Sequence, residues 1–196
     1  MVFIIRDNMN KIWQILNLPR SLAALWLFYK TPCREAICED LVCRKQIPGF
    51  WSFHAAMLED PLFRKVVYAR TIRYNPGLTR FSKLFYRGAQ NMELSADQIG
   101  GGVRIFHGHS TVVFARSIGR NFSVYQQVTI GRGKRINGND IPIIGNNVTV
   151  YAGAIIVGGV HIGDHAVIGA GAVVTKDVPA HTTVVGAPVR YLRNES

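Results

Sequence analysis

Residues 144–178 read IGNNVTVYAGAIIVGGVHIGDHAVIGAGAVVTKDV, and a large aliphatic side chain recurs in them every six positions. A second row of small or β-branched residues follows four positions after each member of the first row. The first row is Ile144, Val150, Ile156, Ile162, Ile168 and Val174, and the second is Val148, Ala154, Val160, Ala166, Ala172 and Val178. A period of six is typical of a parallel β-helix, in which each hexapeptide forms one short strand and a turn.

The same register continues upstream, with two breaks. Its further members are Ile99, Ile105, Ile118, Val124 and Ile130. One extra residue interrupts the period after Ile105, and a longer interruption runs from residue 131 to residue 143. A doubly wound sheet also contains apolar strands, but its crossovers need about ten residues or more, and the repeat leaves no room for them. We therefore expect a β-helix at residues 92–178 with a loop at 131–143, and a C-terminal cap or tail at 179–196.

Residues 1–91 predict a small α-helical domain. A capping side chain precedes a proline at Thr31-Pro32, Asp60-Pro61 and Asn75-Pro76, which is the pattern of a proline at the first helical position. We expect one helix to begin at each pair, and two earlier helices, residues 8–18 and 20–30, to be separated at Pro19. The fold class that follows is mainly β, with a helical domain in front of the β-helix.

The positive charge of the chain is concentrated in its first half. Lys and Arg number 23 against 12 Asp and Glu, a net charge of +11, and residues 1–90 hold 14 basic and 6 acidic residues, a net charge of +8. A solvated basic face, an anionic partner or a membrane surface would each explain this excess. Zinc-finger spacing, a recognition helix and basic runs interleaved with aromatic residues are not seen, so we predict no nucleic-acid partner.

The chain is expected to be cytoplasmic and free of bound metal. The apolar run at its N-terminus is too short for a signal peptide, and residues 21–29 are too short to span a membrane. Three cysteines, five residues apart, cannot converge on one metal from a helix, and we expect reduced thiols. His161 and His165 lack a third partner for a zinc site.

Function is sought where the repeat is violated, because a regular β-helix is a scaffold. The first break holds Phe106, His107, Gly108 and His109. A histidine beside a glycine in a rigid wall is well placed to act as a general base. The alternative is that a histidine here only caps the turn. For His109 we favour this alternative, although its position also makes it a candidate substrate contact.

Four motifs carry a resemblance to a known family. They are residues 99–108 (IGGGVRIFHG), 126–131 (QQVTIG), 168–179 (IGAGAVVTKDVP) and 185–190 (VGAPVR). They resemble the hexapeptide-repeat acyltransferases, specifically the serine acetyltransferase-like branch. The resemblance implies a left-handed β-helix, a homotrimer, and acetyl-CoA as co-substrate lying along the coil edges between subunits. It places the catalytic histidine of the family at His107.

The resemblance also implies contacts with acetyl-CoA. Backbone N–H groups near Gly131 are candidates to stabilise the oxyanion. Small residues that let the pantetheine arm approach the backbone fall at Ala152-Gly153 and Ala170-Gly171. Lys176 and Arg190 are the nearest candidates for the CoA phosphates, and for each of them a solvated surface charge is an equally good explanation.

Three positions depart from the serine-specific pattern of the family. Phe106 replaces the acid before the catalytic histidine, Met92 with Glu93 alongside replaces an aspartate that orients it, and Asp140-Ile141-Pro142 replaces a basic-His-Pro motif. An aspartate where a substrate carboxylate should bind is repulsive, so Phe106, His109 and Asp140 are the candidate acceptor contacts.

These departures favour an acetyl-CoA-dependent O-acetyltransferase acting on a sugar hydroxyl, closest in pattern to enzymes of surface-polysaccharide biosynthesis. The basic N-terminal domain would suit peripheral membrane association. Two alternatives remain: an L-serine O-acetyltransferase of cysteine biosynthesis, and a non-catalytic hexapeptide-repeat scaffold.

Overall fold

Helices form the first half of the chain in the computed structural model, which describes residues 11–136 and 138–186. Residues 11–16 are helical, and five longer helices follow. They are α1 (Leu18–Lys30), α2 (Arg34–Cys43), α3 (Phe50–Glu59), α4 (Pro61–Thr71) and α5 (Pro76–Phe85). Arg190, a predicted phosphate contact, lies outside the described residues.

The predicted helix starts are confirmed at two of the three proline pairs. The Asp60 side chain accepts hydrogen bonds from the backbone N–H groups of Leu62 and Phe63, and the Asn75 side chain accepts one from Leu78. The start at Thr31 is wrong: α2 begins at Arg34, because the Thr31 hydroxyl bonds to the thiol of Cys33 at 2.9 Å and caps no helix.

The predicted break at Pro19 is wrong. The two helices separate at Asn17, and Pro19 lies in the first turn of α1, where a proline costs no hydrogen bond. Helix α3 was missed altogether. It follows Gly49, which has no side chain with which to cap it, so the signal used elsewhere in this region was absent.

The second half of the chain is a parallel β-solenoid, which confirms the predicted fold class. Its strands are β1 (Met92–Ile99), β2 (Arg104–Ile105), β3 (Thr111–Ile118), β4 (Ser123–Val124), β5 (Thr129–Gly131), β6 (Ile143–Ile144), β7 (Thr149–Val150), β8 (Ile155–Val157), β9 (His161–Ile162), β10 (Val167–Ile168), β11 (Val173–Val174) and β12 (Thr183–Val184). All pairings between these strands are parallel. The solenoid extends past the expected end at residue 178, because β12 pairs with β10.

The strands stack into three flat faces. The first face contains the start of β3 followed by β5, β8 and β11, the second contains the end of β3 followed by β6 and β9, and the third contains β2, β4, β7, β10 and β12. Strand β1 pairs along the whole of β3 and forms the first coil. The turns between faces form three edges, and the edge between the third and first faces is called the His107 edge below.

The two aliphatic rows predicted from the sequence point into the solenoid. Every member from Ile144 to Val178 is at most 4% exposed. The coil interior is narrow, and the second row fills it with valine and alanine only, so the core has little room for larger side chains. Helix α4 covers the open end: Val66 belongs to the solenoid core, and Leu62 and Ala69 pack against it.

A buried ion pair ties the helical region to the first coil. Asp40 of α2 accepts hydrogen bonds from the Arg70 guanidinium at 2.9 and 3.1 Å and from the Val103 backbone N–H at 2.8 Å. Arg70 also donates to the carbonyls of Ile99 and Gly100. Burial raises the pKa of the Asp40 carboxyl, and Arg70 acts against that shift. One charged pair thus fixes α2, α4 and the solenoid relative to each other.

Candidate active site

His107 lies exposed in the turn that joins β2 to β3, where the hexapeptide period is broken. Its backbone is left-handed, with φ of 62°, and Gly108 follows at 49°. Histidine is among the residues that tolerate this conformation. A β-carbon at Gly108 would lie 2.5 Å from the Leu62 side chain, so only glycine lets helix α4 press against the turn. The break in the repeat therefore holds the imidazole out from the wall.

Three aromatic rings form a stack that begins next to His107. The ring of Phe106 lies 4.6 Å from that of Tyr125, and Tyr125 lies 5.0 Å from Tyr151. Each residue directly follows the last residue of a strand on the third face, so the coil spacing places the rings one above the other. The stack presents a partly exposed aromatic surface along the His107 edge.

The small residues predicted to line acetyl-CoA lie on the same edge. The turn of His109 accepts a hydrogen bond from Gln127, the turn of Gln126 accepts one from Gly153, and Ala152 accepts one from Gly171, with N–O distances of 2.9 to 3.1 Å. The turns at 126–127, 152–153 and 170–171 are therefore stacked below the His107 turn. A β-carbon at Gly171 would meet no atom within 4 Å, which leaves the backbone open to a ligand.

The remaining described candidates lie on a different edge of the same chain. Gly131 ends β5, and Lys176 follows β11. The strand from Gln127 to Gly131 separates the two edges by about 13 Å at the usual rise per residue. Within one chain the structure does not bring Gly131, Lys176 and the 131–143 loop to His107.

The loop at 131–143 is folded back over the neighbouring coil. Asp140 forms an ion pair with Arg132 at 3.2 Å, and its carbonyl accepts a hydrogen bond from Gly133 at 3.0 Å. A β-carbon at Gly159 would collide with the carbonyl of Asn139, so the loop rests directly on that glycine. The carboxylate of Asp140 is already paired within its own loop.

Neither residue that replaces the orienting aspartate can take over its role. Met92 is 1% exposed and packs inside the solenoid, while Glu93 points to the outer surface of β1. Among the described residues, the His107 imidazole forms no hydrogen bond to another side chain. Among the same residues, the only hydrogen-bond partner of the His109 side chain is the His107 carbonyl, which lies 3.2 Å from Nδ1. In a single chain the position of the imidazole is set by the backbone.

Two further solenoid histidines, His165 and His181, have a structural role. His165 and His181 adopt left-handed φ values of 59° and 56° at successive turns, and their rings stack at 4.6 Å.

Within residues 11–136 and 138–186, no three His, Cys, Asp or Glu side chains come together as a metal site would require. No helix in that part of the chain combines the length and apolar character of a membrane span.

Comparison with known proteins identifies the family. Residues 141–176 match the family described as Bacterial transferase hexapeptide (six repeats). The chain is 41% identical over 168 residues to the serine acetyltransferase of Synechococcus elongatus, covering 85% of this chain and 64% of that one. It is 38% identical over 171 residues to the serine acetyltransferase of Staphylococcus xylosus, covering 86% and 74%. The chain belongs to the serine acetyltransferase family.

The fold of the serine acetyltransferase family is also matched in three dimensions. The crystal structure of Neisseria gonorrhoeae serine acetyltransferase in complex with serine gives a TM-score of 0.64 at 26% identity, covering 86% of this chain and 72% of that one. These relatives are named for serine, and they lend no support to the expectation that the chain is closest to polysaccharide O-acetyltransferases. The chain spans less than two thirds of the cyanobacterial relative's length.

Two residues of the candidate site were missed in the sequence. Tyr125 and Tyr151 form the aromatic stack with Phe106, and each directly follows an inward residue of the repeat, Val124 or Val150. This shared position was the signal that could have found them. The buried Oε1 atom of Gln126 has no hydrogen-bond partner among the described residues. The sequence gave no sign of this, because satisfaction of a polar atom depends on neighbours from other coils.

Proposed function

We propose that the chain is an acetyl-CoA-dependent O-acetyltransferase with His107 as its general base. The observation that carries the proposal is that the exposed His107 turn shares one edge with the small-residue turns at 152–153 and 170–171, in a member of the serine acetyltransferase family. A thioester lying along those turns would bring its carbonyl towards the imidazole. The same edge would hold both the donor and the base.

A single histidine, His107, is sufficient to carry the proton in both steps of the proposed reaction. His107 removes the proton from the acceptor hydroxyl while that oxygen attacks the thioester carbonyl carbon. The C–O bond forms, the tetrahedral intermediate collapses with cleavage of the C–S bond, and the imidazolium returns the proton to the departing thiolate. The products are the acetyl ester and free CoA, and the histidine is regenerated.

Completion of the site calls for a second copy of the chain. Gly131, Asp140 and Lys176 lie on an edge distant from His107, so they can serve the same reaction only from a neighbouring subunit. Val112, Ile155 and Val173 support such contact, because, with Thr129 between the first two, they form an exposed and mainly apolar column across the first face. We take the assembly to be a homotrimer, and multi-angle light scattering on the purified chain would give its mass.

L-Serine is the first acceptor to test. The relatives with which the chain shares most of its length are named serine acetyltransferases, and a family member that keeps the donor edge would be expected to share the acceptor class. In this case the 131–143 loop offers three exposed cations that could meet the serine carboxylate: Arg132, which is paired with Asp140, and Lys134 and Arg135.

A sugar hydroxyl is the second candidate acceptor, and the aromatic stack favours it. Phe106, Tyr125 and Tyr151 give the His107 edge a surface of π-faces on which the apolar face of a pyranose ring could lie. The paired Asp140 adds to this, because it occupies one of the three loop cations, Arg132, that could otherwise meet a carboxylate.

Release of free thiol from acetyl-CoA tests the function and ranks the acceptors. The protein is incubated with L-serine and, separately, with a panel of sugars and sugar nucleotides. His107→Asn keeps a residue that tolerates left-handed φ, and we expect it to lower kcat by about 10²-fold or more. His165→Asn is the matched control, since it makes the same change at an exposed left-handed position on another edge.

The same assay distinguishes the enzyme from the alternative of a non-catalytic scaffold. If His107→Asn and His165→Asn turn over acetyl-CoA at the same rate as the unchanged protein, His107 is not the base. If no acceptor in the panel releases thiol from acetyl-CoA, a scaffold is the better explanation.

A further inference from the structure

A basic cleft opens between α4, α5, the connection after α5, and strand β1. Its volume is about 480 Å³, within the range of small-molecule sites. Three cations, Lys65, Lys83 and Arg87, line it together with a single carboxylate, Glu93. Gln90 and Ser95 add neutral polar side chains to its wall. The cleft therefore offers an excess of positive charge and several hydrogen-bond donors.

The three cations line the same cleft, and none of them forms an ion pair among the described residues. Among the described residues, no carboxylate oxygen lies within 4.0 Å of a nitrogen of Lys65, Lys83 or Arg87. Burial lowers the pKa of Lys65, Lys83 lowers it further, and Glu93 acts in the opposite direction. Like charges at close range destabilise each other, and an anion bound between them would relieve that repulsion.

The walls of the cleft are fixed by hydrogen bonds that do not use the cations. The Tyr68 hydroxyl donates to the carbonyl of Tyr86 at 2.7 Å, and the Ala89 N–H donates to the carbonyl of Pro61 at 3.0 Å. The Lys83 ammonium lies 5.4 Å from the centre of the Tyr68 ring. A preformed site loses less conformational entropy when a ligand binds.

The cleft begins beside the His107 turn. Leu62 of α4 lies against Gly108, and Lys65 follows one helical turn later, about 4.5 Å further along the axis. Both sites therefore share helix α4, but the cleft lies on the helical side of the turn, and the stacked turns at 152–153 and 170–171 lie on the solenoid side.

We propose that the basic cleft binds a phosphate-bearing ligand through Lys65, Lys83 and Arg87. A phosphate carries close to two negative charges near neutral pH and has three acceptor oxygens, so it suits a cleft lined by three cations better than a single carboxylate would. Charge-assisted hydrogen bonds of this kind are among the stronger polar contacts. This proposal does not depend on which acceptor His107 activates, because none of the residues that line the cleft belongs to the His107 edge.

Isothermal titration calorimetry with inorganic pyrophosphate tests the proposal at low salt, where exposed charges are least screened. We expect Lys83→Ala and Arg87→Ala each to weaken binding by about tenfold or more, the equivalent of one charge-assisted hydrogen bond. Arg80→Ala is the matched control, because Arg80 is an exposed cation of the same helix α5 that does not line the cleft. Both cleft positions are exposed, so circular dichroism should show an unchanged fold.

A second arm identifies the source of the phosphate. Vesicles of phosphatidylcholine with and without phosphatidic acid are sedimented with the protein. Pyrophosphate binding that depends on Lys83 and Arg87 assigns a soluble ligand, and retention only on vesicles with phosphatidic acid, lost in the same variants, assigns a lipid headgroup. The proposal is overturned if neither probe binds, or if Arg80→Ala weakens binding as much as Lys83→Ala. Thiol release from acetyl-CoA is measured in parallel, so that failure of the cleft and failure of the enzyme are distinguished.

Discussion

Replacing Asp40 with alanine removes the carboxylate that joins α2, α4 and the first coil. The Asp40 and Arg70 side chains are 0% and 1% exposed, so the variant leaves a guanidinium buried without its counter-charge and the Val103 N–H without its acceptor. Breaking a buried pair from one side costs about 3–5 kcal/mol. For a chain of this size, 1 kcal/mol corresponds to a shift in Tm of about 2–4 °C. We therefore expect Tm to fall by about 6–20 °C.

Urea denaturation followed by two signals locates the effect. All three tryptophans, Trp13, Trp26 and Trp51, are in the helical region, so their fluorescence reports on that region, whereas far-ultraviolet circular dichroism reports on the whole chain. In Asp40→Ala the fluorescence transition should have its midpoint at lower urea than the circular dichroism transition, which also includes unfolding of the solenoid. Asp97→Ala is the control, because its pair with Arg73 is about half exposed and should contribute less than about 1 kcal/mol. Equal losses in the two variants would refute the role assigned to the buried pair.

Two further predictions concern the solenoid. Gly119→Ala would place a β-carbon 2.4 Å from the Gly145 carbonyl oxygen of the next coil and should lower the free energy of unfolding by about 1–3 kcal/mol. In the control Gly131→Ala the new β-carbon meets no atom within 4 Å, and the free energy of unfolding should change by less than about 0.5 kcal/mol. Thermal unfolding compares the two variants, and similar losses would contradict the close-approach argument. Val173→Lys puts a charge in the exposed column of the first face and should reduce the mass measured by light scattering towards that of one chain, because an unpaired charge buried between subunits is costly. Val42→Lys, at a similarly exposed position on α2, is the control. An unchanged mass in Val173→Lys would exclude this column from the interface.

The glycine pair also shows what the repeat alone does not reveal. Gly119 follows an inward residue, and glycine is required there because the next coil's backbone passes too close for a β-carbon. Gly131 has the same place in the repeat but faces open space. The two cannot be told apart from spacing, because the difference lies in what the neighbouring coil and the 131–143 loop do.

The helical region was predicted less well than the solenoid, and the reason is the kind of signal available. Asp60 and Asn75 cap their helices through hydrogen bonds to backbone N–H groups two or three residues later, so a short stretch of sequence is sufficient to predict these helix starts. Helix α3 is preceded by Gly49, which cannot cap it, and is held by burial of Phe53 and Met57 against other helices. Such burial depends on partners distant in the chain, so no short stretch of sequence contains it.

The sequence by itself determined the solenoid, the inward rows and the turn that carries His107. A repeat of six is sufficient for this, because each coil buries its aliphatic side chains against the next copy of the same unit, about eighteen residues away. The tertiary structure alone decided which candidates share an edge with His107, the stacking of Tyr125 and Tyr151, the Asp40–Arg70 pair and the basic cleft. Asp40 and Val103 are 63 residues apart, and the cleft draws its cations from two helices and a connection. These arrangements depend on where helices of different sequence pack against the first coil, and no period in the sequence encodes that contact.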